Sequence, residues 1–454
     1  MNRLFAVISV VMILSGCTAT APIVPTATAT PRPTVTPLGS PIAYAVVTRI
    51  VIATETRIPL PSSTNAKTAT PTNTPAPKPT LPPAQVPEAN PDGLVLNITQ
   101  GTALQFPRTA HTATRLPDGK ILLVGGSRAV DDFLAEVELF DPKTGLSRRV
   151  ASLHTPRHAH TATLLPDGRV LVVGGYTLPQ QWLNDAEVYD PVADTWTVVP
   201  PRYSHGSTHT ATLMKDGRVL VVGGAIGNGV ATERVEIFDP QTNTWTEARP
   251  LTSELTYHTA QLLDDGHVLV AGGAVANGAT PAGGDAQLYD PRTNTWTATG
   301  PMVQPCIFSQ SARLPDGRVL VAGGTLLNQS VPPIPILASA EIYNPTSNVW
   351  TSAADLSQAR YNHVLVPLPD GQVLAVGGAR DWDNRWTENS FVREIEIYDP
   401  VDNEWRTVGD LPQPGTGATA TLLLDGRVWL TGSRYMEKHW SDTWLISDPS
   451  RSLP

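Results

Sequence analysis

The sequence predicts an all-β chain folded as a seven-bladed β-propeller with four-stranded blades, and three observations predict it. The phrase HTATLLPDGRVLVVGG, residues 160–175, returns almost unchanged as HTATLMKDGRVLVVGG at 209–224. Asp-Gly pairs begin at Asp118, Asp167, Asp216, Asp265, Asp316, Asp370 and Asp425, so seven units of about 50 residues follow one another. Between them runs no stretch of helical periodicity, and a unit of this length without helices reads as one propeller blade.

Each unit resolves into four short strands. The HTATLL segment alternates and ends at Asp-Gly, which predicts a tight type I′ hairpin in which both turn residues take positive φ. The RVLVV run is β-branched and apolar, as a strand covered on both faces should be. Diglycines beginning at Gly125, Gly174, Gly223, Gly272, Gly323 and Gly377 follow it, with Thr431, Gly432 and Ser433 in the last unit. The third strand reads EVYDP or a variant of it, stopped by a proline that cannot donate to the ladder. Five residues beyond that proline stands Trp196, Trp245, Trp296, Trp350 or Trp405, with Ser147 in the first unit, and this marks the fourth strand. The recurring Trp and the Phe or Tyr before Asp-Pro are expected to pack between blades.

The order of Arg, His, Asp-Gly, apolar run, diglycine, aromatic-Asp-Pro and Trp resembles the kelch repeat over roughly residues 94–449. That resemblance implies a kelch-type propeller used mostly for binding, with enzymes a minority. Ring closure is legible too. The Trp position precedes the fifth residue of the next inner strand by 17 residues, and counting back from Arg115 reaches Ile98. The last unit has no fourth strand of its own, so about residues 94–99 are expected to supply it and leave no open edge.

The upstream chain is different material. Residues 1–16 carry Arg3 and a short apolar run before LSGC, a stretch too short for a membrane span of ~20 residues. LSGC resembles a bacterial lipoprotein signal, which implies a lipid on Cys17 and an extracytoplasmic protein anchored to a membrane by that lipid alone. Residues 17–92 are rich in Thr, Pro, Ala and Ser and read as a disordered linker, leaving 93–454 as the propeller.

Charge narrows the partners. The chain carries −9, and −12 falls on residues 93–454 once Arg3 and the linker charges are set aside, a poor match for phosphate backbones. Of the two cysteines, Cys306 is left unpaired if Cys17 is lipidated, so no disulfide is expected. A monomer without a cofactor is expected.

His111, His160, His209, His258 and His363 hold one register, with Arg108, Arg157 and Arg360 three residues earlier. A zinc ion needs ligands at roughly 2 Å, whereas neighbouring sheets pack at roughly 10 Å, so these histidines read as repeated hydrogen bonds and not as a metal site. The non-repeated aromatics are the better functional candidates. Tyr176, Trp182, Trp382, Trp386, Tyr435 and Trp440 fall between second and third strands, as do Phe133, Phe391 and Arg385. Tyr203, Tyr257, Phe308 and Tyr361 fall in the loops that lead into inner strands. Up-and-down strand order places both loop sets on one face of the disc, and a patch gathered there is expected to recognise a polysaccharide or a protein. Asp381, Asp383 and Asn384 are a minor calcium candidate.

Two alternatives remain open. The kelch resemblance also admits a carbohydrate-active enzyme similar to galactose oxidase, which needs two Tyr and two His on copper with one Tyr joined to a thiol, here only Cys306. A sialidase-like site lacks an identifiable arginine triad. A structural protein of the cell envelope is the other alternative.

Overall fold

The computed structural model describes residues 95–449 except 130, 180, 202, 204, 228–229, 276–279, 282–285, 327–333, 382–386 and 436–437. Cys17 and the proposed linker lie outside them, as do Trp382, Arg385 and Trp386. Among the described residues seven four-stranded antiparallel sheets follow each other in chain order, which is the predicted propeller. Blade 2 is typical, with an inner strand Thr161–Leu164, a second strand Val170–Val173, a third Ala186–Asp190 and an outer strand Thr195–Val198.

The strands obey their sequence pattern. Every residue of Val170–Val173 is buried, and the same holds for the second strands of blades 1, 3, 4, 5 and 6, since sheets cover both of their faces. The inner strands of blades 1, 2, 3, 4 and 7 keep small Thr and Ala where the blades converge, whereas blade 6 reads VLVP.

The Asp-Gly hairpin departs from expectation. Gly119 alone takes positive φ (87°), and its N–H donates to Leu116 O at 3.0 Å. Asp118 keeps negative φ, with its carboxylate accepting the Lys120 N–H at 3.0 Å. The loop is a three-residue type I turn ending on a left-handed glycine, and it forms equally where Lys215, Asp264 or Leu424 stands in the place of Pro117.

Closure follows the predicted register. The strand Asn97–Gln100 pairs with Lys438–Ser447, placing Ile98 opposite Ile446 as Trp196 stands opposite Tyr189. Leu96 N–H also donates to Val408 O of blade 6 at 2.9 Å.

The core lies in the seams between blades. Tyr189–Trp196, Phe238–Trp245, Tyr289–Trp296, Tyr343–Trp350 and Tyr398–Trp405 form tilted ring pairs with centroids 4.9–5.1 Å apart. Each pair plugs the seam toward the preceding blade, where Leu116, Leu122 and Leu139 of blade 1 receive Tyr189 and Trp196. The Trp196 indole N–H donates to Ala151 O at 2.8 Å, locking one blade to the last. Such pairs contribute about 0.5–1.5 kcal/mol beyond the area they bury.

The segments between second and third strands are not plain loops. Tyr176–Thr177 pairs with Gln181–Trp182 in a small ribbon, and in blade 7 the ribbon Val428–Tyr435 with Lys438–Ser447 carries Tyr435 and Trp440 on strands.

Candidate functional site

The residues conserved in register among the blades are consumed by structure. Arg108, Arg157 and Arg360 are fully buried, and they donate to Glu138 (2.6 Å), Glu187 (2.7 Å) and Glu396 on the third strand of the same blade. These carboxylates also accept backbone N–H groups of the incoming loop, among them Gln105 and His154. Blade 3 substitutes the ring of His205, which contacts Glu236 at 3.1 Å, and blade 4 replaces both partners with Leu255 and Gln287. Blade 5 keeps Glu341 but puts Cys306 in the arginine's place, and burial raises the Glu341 carboxyl above its ordinary range.

The histidines of the common register tie blades together. Nε2 of His160, His209 and His258 lies 2.9 Å from the hydroxyl of Thr112, Thr161 and Thr210, each on the preceding inner strand. Burial drives all five rings far below the usual imidazole range, His209, His258 and His363 to about 3. A neutral imidazole locked into a seam is a structural bolt. His363 has no such partner because Gln310 replaces the threonine.

Two rings of equivalent positions frame the axis on the loop face. The residue two positions before each inner strand takes positive φ between 50° and 71°: Ala110, Ala159, Thr208, Tyr257, Phe308, Asn362 and Gly417. Ala110 N–H donates to Gly417 O and Ala159 N–H to Ala110 O, both at 3.0 Å, so the collar is stitched blade to blade. Tyr257 and Phe308 continue it, Tyr257 N–H donating to Thr208 O and Phe308 N–H to Tyr257 O at 3.3 Å. Large side chains are rare in this conformation, which costs L-residues roughly 1–2 kcal/mol. The second ring is a bridge between the incoming loop and the residue after each diglycine, as in His158 with Tyr176, Tyr361 with Ala379 and Thr416 with Arg434.

Aromatic side chains on these rings form two clusters. In the first, Phe133 stacks on His158 (4.4 Å) and Tyr176 stands edge-on to Trp182 (5.2 Å). In the second, Tyr257 packs on Phe308 (4.1 Å), Phe308 approaches Tyr361 (6.1 Å), and Phe391 meets Tyr435 (5.4 Å). Arg434 is coupled electrostatically to members of both, lowering the His158 ring and being itself raised by Tyr361. Burial brings the Arg434 guanidinium down to about 10, and burial followed by the charges of His439 and Arg434 takes His158 to about 4. His439 donates Nδ1–H to Ser127 O at 2.7 Å beside them. Aromatic faces can hold a planar or sugar ring by stacking, and a guanidinium within electrostatic reach of them can pair with an acidic or hydroxyl group.

The structure thus gathers Tyr176, Trp182, Tyr257, Tyr361 and Tyr435 on the loop face but does not make them equal. Tyr361 is 2% exposed and its hydroxyl donates to Asp381 O, so it supports the face from beneath instead of touching a ligand directly. Tyr203 is not in either cluster. Its ring lies under the Arg234 guanidinium (4.4 Å) and its hydroxyl donates to Glu247, at the outer strand of blade 3. Trp440 lines the narrow upper part of the blade 6–7 seam with Gln413 and Trp444. Arg434, His158 and His439 were missed in the sequence; the signal for the first two is an odd residue at a seven-fold register position.

Among the described residues the donor set of a copper oxidase is not assembled. Cys306 is 4% exposed in an apolar seam with Leu263, Met302 and Val319, and burial pushes its thiol up to about 12. Among the described residues no three His, Cys, Asp or Glu side chains converge as metal ligands.

Comparison with known proteins agrees with this fold. The family model described as Attractin/LZTR1 beta-propeller matches residues 97–328, and the Kelch motif model matches 360–412. Mouse Kelch-like protein 36 is 28% identical over 134 residues, 30% of this chain and 21% of that protein. Human Kelch-like protein 23 is 28% identical over 141 residues, 31% of this chain and 23% of that protein. Beta-scruin of Limulus polyphemus is 30% identical over 117 residues, 26% of this chain and 12% of that protein. The chain therefore spans less than a quarter of the length of these relatives. Among solved structures, a fungal alcohol oxidase of the AA5 family in complex with copper superposes with a TM-score of 0.63 at 19% identity, over 77% of this chain and 76% of that one. The structure of YjhT gives 0.52 at 16% identity, over 68% and 99%. Likeness at these identities shows the fold alone.

Proposed function

The chain belongs to the Attractin/LZTR1 β-propeller family, built here from kelch motifs, and from that premise we propose that it is a non-catalytic binding module. It recognises a polysaccharide or protein partner with the loop-bearing face of the disc, outside the cytoplasm, tethered to a membrane by a lipid on Cys17. The observation that carries this reading is the pair of aromatic clusters on the loop face, with Tyr257 and Phe308 held in a backbone conformation unfavourable to large residues. Both side chains are half-buried, and the collar imposes positive φ at all seven equivalent positions, so what sets these two apart is the large ring each carries there.

The copper-oxidase reading is disfavoured by the burial of Cys306, and the sialidase reading by Arg108, Arg157 and Arg360 each being committed to a buried glutamate. The test is capture of glycans and envelope proteins by wild type, Phe308→Ala and Arg434→Ala. The reading expects both variants to lose capture while melting within a few degrees of wild type. Capture unchanged in both would place recognition elsewhere, and capture of nothing by wild type favours a structural role in the envelope. Cys17→Ser should move the protein from the membrane to the soluble fraction and abolish fatty-acid labelling.

A further inference from the structure

Blade 3 meets the buried glutamate of its third strand with a histidine, and the two ring nitrogens repeat the two contacts of an arginine. In blade 2 the Arg157 guanidinium donates to Gly174 O at 2.9 Å and to Glu187 at 2.7 Å, and in blade 1 Arg108 donates likewise to Gly125 O and Glu138. In blade 3, Nδ1 of His205 lies 3.1 Å from Gly223 O and Nε2 lies 3.1 Å from Oε2 of Glu236, with both side chains fully buried. A carbonyl and a carboxylate oxygen only accept, whereas a neutral imidazole carries one N–H, so the two contacts require a second proton. Oε2 of Glu236 also accepts the Tyr203 N–H at 3.0 Å, the role of an ionised carboxylate, which leaves that proton on the ring. Imidazolium and carboxylate then form the neutral pair that a buried charge requires.

The chain position of Arg157 is held in blade 3 by Gly206, whose carbonyl accepts the Gly175 N–H as that of Arg157 accepts the Gly126 N–H. Gly206 takes a left-handed φ of 53°, and with no side chain there the residue before it fills the arginine's place. The same glycine is the floor of the first aromatic cluster. A Cβ on Gly206 would stand 2.8 Å from Cδ1 of Trp182, whose ring is edge-on to Tyr176 at 5.2 Å. The Gly175 N–H that Gly206 O accepts, at 2.6 Å, lies one residue before Tyr176. His205 thus anchors the segment on which Tyr176 and Trp182 rest. Among the described residues, Glu236 on the third strand and His209 ahead of the inner strand are the titratable groups facing the His205 ring, while the Tyr203 hydroxyl is turned away to Glu247. Burial, then the charge of His205, drives the His209 ring to about 3, so one of these two neighbouring rings is charged and the other neutral.

We propose that His205 is a positioning residue for the recognition face: as an imidazolium between Gly223 O and Glu236 it fixes Gly206 beneath Trp182, and loss of its second proton frees that indole. The clamp is the one version of the arginine–glutamate contact that can lose its charge, because a guanidinium does not deprotonate in a protein. Deprotonation leaves the Nε2 lone pair against Oε2 in a site closed to water, where an unmade contact is not replaced by solvent. The functional consequence, a ligand held while His205 is charged and released as pH rises, rests on the loop face being the recognition surface.

The test is NMR of the full chain carrying ring-labelled histidine and fluorotryptophan, with His205→Gln and Trp182→Phe assigning the two signals. At pH 7 His205 should show protons on both ring nitrogens, and between pH 7 and 10 the Trp182 signal should shift in step with the loss of one of them. A single ring proton at pH 7, retention of both through pH 10, or a Trp182 signal that ignores the loss overturns the proposal. His205→Pro with Gly206→Arg writes the Pro156–Arg157 pair of blade 2 into blade 3, a clamp that does not titrate. Once folded it should keep the Trp182 signal of neutral wild type across the whole range, and a shift as large as that of wild type overturns the proposal. His205→Gln makes the comparison without rebuilding the loop: its Trp182 signal should differ from neutral wild type and stay fixed with pH, and a wild-type response counts against the proposal. Failure of wild type to capture glycans or envelope proteins would remove the recognition reading, while the Trp182 response still decides what His205 does.

Discussion

Trp429 of blade 7 lies flat on Phe140 of blade 1, with ring centroids 3.8 Å apart, and by doing so closes a seam whose own tryptophan position holds Ser147. Trp429 is fully buried, so its loss is not softened by solvent.

Trp429→Ala should cost about 3–5 kcal/mol, the usual range for removing a large buried aromatic. Trp429→Leu, the residue of every other blade at this position, should still destabilise because Ser147 supplies no ring to refill the gap. Chemical denaturation measures both, and a leucine variant as stable as wild type would show that the stack does not hold the seam.

Ring closure rests on a strand remote in sequence. Deleting residues 93–99 removes the ladder from Asn97–Ser447 to Gln100–Trp444 and exposes the edge of the last blade. The expected result is a sharp drop in the melting temperature and a tendency to associate through that edge, followed by calorimetry and light scattering. An unchanged melting temperature would contradict closure.

Stability should fall on acidification. His209, His258 and His363 are held near 3 and His158 near 4 by burial, whereas the unfolded chain protonates them near 6.5. Their folded values are depressed, so the stability they contribute is complete above pH 6.5 and is lost as pH falls toward 3. Each histidine withdraws at most about 1.4 kcal/mol per pH unit in that window. Glu341, with a raised folded value, acts in the opposite sense, adding stability at low pH that fades as pH rises above its unfolded value near 4.5. Melting temperatures from pH 4 to 8 should therefore decline steeply below 6.5, and less steeply in His258→Gln; a flat profile to pH 4 would refute the neutral, buried assignment.

Much of this was open to inspection in one dimension. Blade count, strand limits and the seam role of Tyr189 and Trp196 repeat locally, and the 17-residue spacing puts Ile98 at the outer-strand tryptophan position of the last blade, where it pairs with Ile446. The Asp-Gly turn differs from the type I′ expectation because the dipeptide suits two hairpin types, and in every blade the Asp carboxylate accepts the N–H two residues on while the glycine alone takes positive φ. Tyr361 and Tyr203 look alike in sequence, each an aromatic in a loop entering an inner strand. One is buried against Asp381 and the other lies under the Arg234 guanidinium at the outer edge.

The sequence by itself determined a seven-fold closed ring with a common seam chemistry, because periodic alternation and turn residues act over a few neighbours and are copied from unit to unit. Only the tertiary structure decided which irregular residues meet. Arg434 reaches the environments of His158 and Tyr361 from another blade, Trp429 fills one defective seam, and Ile98 with Ile446 leaves the other open. Those outcomes depend on side-chain volumes and charges brought together around an axis from positions hundreds of residues apart, and no local pattern encodes that sum.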